Sequence, residues 1–144
     1  MRYLIVDGHS MIFAWRDLAA IHRTNMEAAR DELINRMARY QDSGDERVVL
    51  VFDGRGGKTD SSMHPAGIQV VYSKAGQSAD SVIERLAANY AGRHDIRVAT
   101  SDRMEQMTVS TFGASFVDAG RLAEELQQAE AELARRIRRH NARH

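Results

Sequence analysis

The sequence predicts an α/β fold: a mainly parallel sheet of about five strands with helices on both faces. Two observations carry this. Short apolar runs alternate with amphipathic stretches along the whole chain, which is the pattern of β-α-β units. The clearest run, Val48 to Phe52 (VVLVF), has no polar face, as expected of a central parallel strand covered on both sides.

The first strand is read at Arg2 to Val6 (RYLIV), closed by Asp7-Gly8. A helix is expected from about Ser10 to Ala20, with Phe13 and Trp15 read as core residues. Thr24 and Glu27 form a capping-box pattern ahead of a helix to Tyr40, whose face is Met26, Ala29, Leu33, Met37 and Tyr40. The second strand is Val48 to Phe52. Asp53 to Pro65 (DGRGGKTDSSMHP), with the chain's one proline, is read as a flexible stretch. A third strand spans Ile68 to Tyr72. A helix from Ala79 to Ala91 turns Val82, Ile83, Leu86 and Ala87 inward. Asp95 to Thr100 is the fourth strand. Asp102 with Glu105 reads as a second capping box, opening a helix to Phe112. Ala114 to Val117 is the last strand. A long helix from Ala119 to Arg139 carries the stripe Leu122, Leu126, Ala129, Leu133 and Ile137.

Length and composition narrow the function. At 144 residues a single domain spanning 1–144 is expected. No cysteine is present, which excludes disulfides, thiolate zinc sites, iron–sulfur clusters and a cysteine nucleophile. No apolar run is long enough for a membrane span, and MRYLIVDGHS does not read as a signal peptide, so a cytoplasmic location is expected. The net charge of zero conceals an asymmetry: residues 135–144 hold five arginines and no acid, leaving 15 basic and 20 acidic residues before them. An acidic body suits a metal site. A basic helix end suits a polyanion, or is simply a solvated terminus.

The acids fall at informative places. Asp7, Asp53 and Asp102 follow the ends of three strands, where ligands bind in open α/β sheets. Asp80 and Glu84 lie one turn apart at the start of a helix. Each acid alone could serve only as a turn or cap residue. Together they would crowd negative charge on one rim, a cost that a divalent cation removes. All-oxygen donors point to Mg²⁺ or Mn²⁺. Other motifs fail: Gly57-Lys58-Thr59 lacks the first glycine of a P-loop, since Phe52 stands there, and His9 occupies the place of the second acid of an aspartyl phosphotransferase.

The segments LIVDGHSMI, VVLVFDG, AGQSADSVIERLA and VATSDRMEQ, followed by FGA, resemble the YacP-like branch of the NYN family of PIN-like ribonucleases. The resemblance runs in order from Tyr3 to about Leu126. It implies a compact Rossmann-like PIN/NYN fold, an acidic metal-binding pocket and RNA cleavage; the family includes a bacterial endoribonuclease acting on mRNA in the context of the ribosome. Carried over by position, the catalytic and metal-holding acids are Asp7, Asp80 and Asp102, with Asp53 and Glu84 as further metal-site members. Two positions depart from the family. Ser10 stands where it usually has Asn, and Gln77 where it often has Glu.

The expected chemistry is metal-assisted phosphodiester hydrolysis leaving a 3′-hydroxyl and a 5′-phosphate. Histidine is not needed as a base, and His9 is a candidate by position only. RNA contacts are expected from Arg55, Lys58, Lys74 and Arg103, and from Arg135, Arg136, Arg138 and Arg139. Two rival functions are a catalytically silent RNA- or ribosome-binding module of the same fold and a phosphatase of small substrates.

Overall fold

The structure is a computed structural model describing residues 1–54, 60–74 and 76–143, without the side chains of Asp60 and Ser61. The elements run β1 (Arg2–Asp7), α1 (Gly8–Ala14), α2 (Arg16–Thr24), α3 (Met26–Ser43), β2 (Glu46–Phe52), β3 (Asp60–Met63), β4 (Gln69–Tyr72), α4 (Ala79–Tyr90), β5 (Asp95–Ala99), α5 (Arg103–Thr111), β6 (Ser115–Val117) and α6 (Ala119–Ala142). Six strands form one sheet in the order β3-β4-β2-β1-β5-β6. All neighbours pair in parallel except β3, which runs antiparallel to β4.

Strand β1 explains the two-sided core. Leu4 and Val6 point to one face and Ile5 to the other, as the alternation of a strand requires. The first face joins Leu4, Val6, Leu50 and Phe52 to Met11, Leu18, Leu33, Met37 and Leu122 of the helices. The second joins Ile5, Val49, Val51 and Val98 to Val82, Ile83 and Val109. From β1 the chain moves to β2 on one side, and later crosses to β5 on the other. The carboxyl ends of β1 and β5 therefore flank the point where strand order reverses, the usual place for a ligand crevice.

Five readings of the sequence need correction. The helix expected over 10–20 is two helices, because Trp15 breaks it with extended backbone (φ −88°, ψ 116°). The buried Trp15 indole N–H donates to the Ala119 carbonyl at 2.9 Å, so packing against α6 fixes the break. Phe13, expected in the core, is 61% exposed. Thr24 ends α2, and Asn25 caps α3 by accepting from the Ala28 N–H at 3.1 Å. Within the stretch expected to be flexible, residues 60–63 form β3 as an edge strand, and residues 55–59 lie outside the described residues. The stripe of α6 also stops short: Leu122 is buried, whereas Leu133 and Ile137 are exposed, because the helix outruns the body it packs against.

Candidate active site at the carboxyl edge of the sheet

Two Asp-Gly pairs build the edge. Asp7 ends β1 and caps α1, accepting from the Ser10 N–H at 3.4 Å and from the Ser10 hydroxyl at 2.9 Å. Gly8 is needed because a Cβ there would stand 2.4 Å from the Phe52 ring. Asp53 follows β2, and its Oδ1 accepts from the Ala79 N–H at 2.7 Å, which ties the first turn of α4 to the sheet. Gly54 is needed because a Cβ would meet the Ser73 carbonyl oxygen at 1.5 Å. These glycines let two strand ends pack tightly beside their acids.

The third acid is placed by the run after β5. Asp102 caps α5, accepting from the Met104 and Glu105 N–H groups at 2.9 and 3.4 Å. Fully buried Thr100 joins it to Asp7: its hydroxyl oxygen accepts from the Asp102 N–H at 3.2 Å and lies 3.5 Å from Asp7 Oδ2. Gln106 donates to the Thr100 carbonyl at 2.9 Å and fixes the run from below. Thus Asp7 and Asp102 each meet a helix N-terminus, and Asp53 meets that of α4, where partial positive charge offsets part of their repulsion.

Asp80, in the first turn of α4, feels this crowd most plainly. Burial, then the charges of Asp7, Asp102, Glu84 and Asp53, push its carboxyl up to about 6. Glu105 is a sixth member. Rather than completing a capping box, its side chain is turned inward, 4% exposed, with Oε1 lacking a hydrogen-bond partner. Burial, then the charges of Asp80 and Glu84 and a hydrogen bond to Glu84, push it up to about 8. Its spacing in the sequence is equally that of a cap residue; only the packing of α4 against α5 separates the two. Among the described residues, no three His, Asp or Glu side chains are gathered tightly enough to ligate one ion directly in this arrangement.

An open groove of about 490 Å³ runs over the edge, lined by Asp7, Asp53, Asp80 and Ser101, with His9 and Phe13 along it. His9 Nε2 lies 3.5 Å from Asp53 Oδ2, and burial holds the imidazole below its ordinary value. Behind Asp53, buried Arg30 donates to the Asp53 carbonyl at 3.4 Å and covers the Phe52 ring at 5.2 Å. Neither Thr100, Glu105 nor Arg30 stands out in the sequence as a site residue.

A profile of the YacP-like NYN domain matches residues 4–144. The chain belongs to the YacP-like NYN domain family. The Bacillus subtilis (strain 168) protein named "Uncharacterized protein YacP" is 37% identical over 145 residues, covering 96% of this chain and 83% of the relative. The crystal structure of Rae1 (YacP) from Bacillus subtilis superposes with a TM-score of 0.83 at 36% identity, covering 99% of this chain and 83% of that one. Its W164L mutant gives the same TM-score at 35% identity, covering 96% and 82%. The family is related to the PIN-like nucleases, which ties the chain to an RNA-related function, and the α/β architecture is consistent with a PIN-like fold.

The basic residues divide by position. Lys74 follows β4 and Arg103 opens α5, both exposed near the carboxyl edge. Arg55 and Lys58 lie outside the described residues. Helix α6 leaves the carboxyl edge after β6. By Glu125 it has reached Arg97 (2.9 Å), which also binds Glu46, the first residue of β2 (2.7 Å). Arg135 to Arg139 therefore lie beyond the amino edge, away from the groove. Three of them share one carboxylate: Arg135, Arg136 and Arg139 stand 2.8, 3.4 and 3.4 Å from Glu132. No helix of the described residues is long and apolar enough to cross a membrane.

Proposed function

We propose that this chain is a divalent-metal-dependent endoribonuclease that hydrolyses RNA phosphodiesters in the groove, with mRNA, cytoplasmic and on the ribosome, as its substrate. The observation that carries the reading is the meeting of Asp7, Asp53, Asp80, Glu84, Asp102 and Glu105 at the strand-order reversal, where burial and then the charges of Asp7, Asp102, Glu84 and Asp53 push Asp80 up to about 6, in a family related to nucleases. Carboxylates raised this far are costly without a counter-charge. The donor set is all oxygen, and its looseness suits Mg²⁺ or Mn²⁺ in a partly hydrated state, because Mg²⁺ usually keeps several waters.

In this reading Asp7, Asp80 and Asp102 hold the ion, with Asp53 and Glu84 flanking it. A bound ion would supply a more acidic water and charge opposite the phosphorane-like transition state. Thr100 and Ser10 fix the Asp7 carboxylate, so Ser10 replaces with one hydroxyl what the family usually does with an Asn amide. Asp53 sets the position of α4 and hence of Asp80. Lys74 and Arg103, exposed near the carboxyl edge, would meet phosphates of the approaching strand, as would Arg55 and Lys58. Water attack in line with the departing O3′ leaves a 3′-hydroxyl and a 5′-phosphate.

The looseness of the carboxylates also favours one rival, a silent RNA- or ribosome-binding module. Labelled mRNA incubated with the chain, with and without ribosomes, in Mg²⁺, Mn²⁺ or EDTA separates the two. The nuclease reading expects 5′-phosphorylated fragments in metal and none in EDTA. Binding without cleavage in either metal would leave the silent module; cleavage in EDTA would refute the metal's role.

A further inference from the structure

Three rings form a continuous surface at the lip of the groove. Phe13, on α1, stacks on His9 with centroids 6.0 Å apart and planes 18° from parallel. His22, from α2, meets Phe13 edge-on at 4.9 Å and 67°. Phe13 lines the same groove as Asp7, Asp53 and Asp80. At 61% exposed it is the most exposed aromatic among the described residues.

Folding does not account for this position. Helix α1 buries Met11 and Ile12, and Trp15 makes the contact with α6. A large apolar ring left in water beside a wall of carboxylates does no packing work. The two flanking imidazoles hold it instead, so its free face is presented in a fixed orientation. A flat neutral ring fits a flat partner. Any strand placing a phosphodiester over Asp7 and Asp80 brings a base within about one nucleotide of the cut, and bases stack on such rings regardless of sequence.

We propose that Phe13, braced by His9 and His22, is a stacking platform for an unpaired nucleobase next to the scissile phosphate, so that the groove takes single-stranded RNA. The proposal rests on the nuclease reading for the direction of the strand. Paired RNA has no free base face to offer the ring, so a duplex should not use it.

The test is a cycle between protein and RNA. Affinity for a single-stranded RNA 10-mer and its abasic derivatives, one position removed at a time, is measured in Mg²⁺. Asp80→Asn in every chain holds cleavage off. With Phe13 present, one abasic position should weaken binding about tenfold, within the range found for base–aromatic stacking. With Phe13→Ala that position should cost less than twofold, and Phe13→Trp should restore the effect. Thermal melting should be nearly unchanged in Phe13→Ala, given the exposure of the ring. If every abasic position costs the same with and without Phe13, or if no RNA is bound, the platform is refuted. Cleavage by the chain with Asp80 intact is scored separately. Coupling without cleavage would sink the nuclease reading and keep the platform; cleavage without coupling would do the reverse.

Discussion

Replacing Glu105 with Gln should make the metal-free protein more stable in mild alkali. Glu105 is 4% exposed, and its carboxyl is pushed from 4.5 up to about 8, first by burial and then by Asp80 and Glu84. A raised carboxyl is protonated in the folded state while the unfolded chain has already ionised it. Its contribution is therefore full below about pH 4.5 and is lost as pH rises through about 8. At about 1.4 kcal/mol per pH unit, the whole effect is on the order of 4–5 kcal/mol, and about 2 kcal/mol after allowing for relaxation of the neighbouring carboxylates. Gln keeps the shape and can still donate to Glu84, but does not ionise. Urea unfolding in EDTA between pH 5 and pH 8.5 measures this directly. The parent should lose about 2 kcal/mol more than Glu105→Gln over that range. Parallel pH profiles for the two chains would show that Glu105 does not carry a proton in the folded state.

Other consequences follow from the same geometry. Asp80→Asn should raise metal-free stability at pH 8 by about 1–2 kcal/mol, since its carboxyl is also raised, and added Mg²⁺ should stabilise the parent more than the variant; calorimetry reads both. Arg97→Ala should cost about 2–4 kcal/mol in denaturant unfolding, because Glu46 and Glu125, half-buried or deeper, lose the guanidinium that they share. Neutralising Arg135, Arg136, Arg138 and Arg139 together should lower RNA affinity and flatten its salt dependence by less than the roughly 0.7 per contact expected for four free cations, because Glu132 already pairs three of them. A slope reduced by the full value for four contacts would show that RNA displaces Glu132.

Much of the frame was legible because it depends on local pattern. Val48 to Phe52 is apolar on both faces and becomes a central strand. Asp7, Asp53 and Asp102 follow strand ends, and parallel pairing brings those ends to one edge. What was not legible depends on partners far along the chain. The break at Trp15 is made by the Ala119 carbonyl, 104 residues away. Glu105 has the spacing of a capping residue, and only the packing of α4 against α5 turns it into a buried acid. Phe13 has the composition of a core residue; its exposure follows from the break that redirects α2. Thr100 is an ordinary strand-end residue until Asp7 and Asp102 arrive on either side of it. The exposed end of α6 reflects simple geometry: a 24-residue helix, about 36 Å long, exceeds a sheet of strands three to seven residues long.

The central claim is that the carboxylate rim cuts RNA through a divalent cation. Single-turnover cleavage of a labelled RNA by the parent and by Asp80→Asn, each titrated with Mn²⁺, tests it most directly. The account predicts a metal-dependent rate in the parent and a rate at least about a hundredfold lower in Asp80→Asn at saturating metal, consistent with losing one charged group from an electrostatic site. Equal rates in the two chains, or a parent rate indifferent to Mn²⁺, would contradict it.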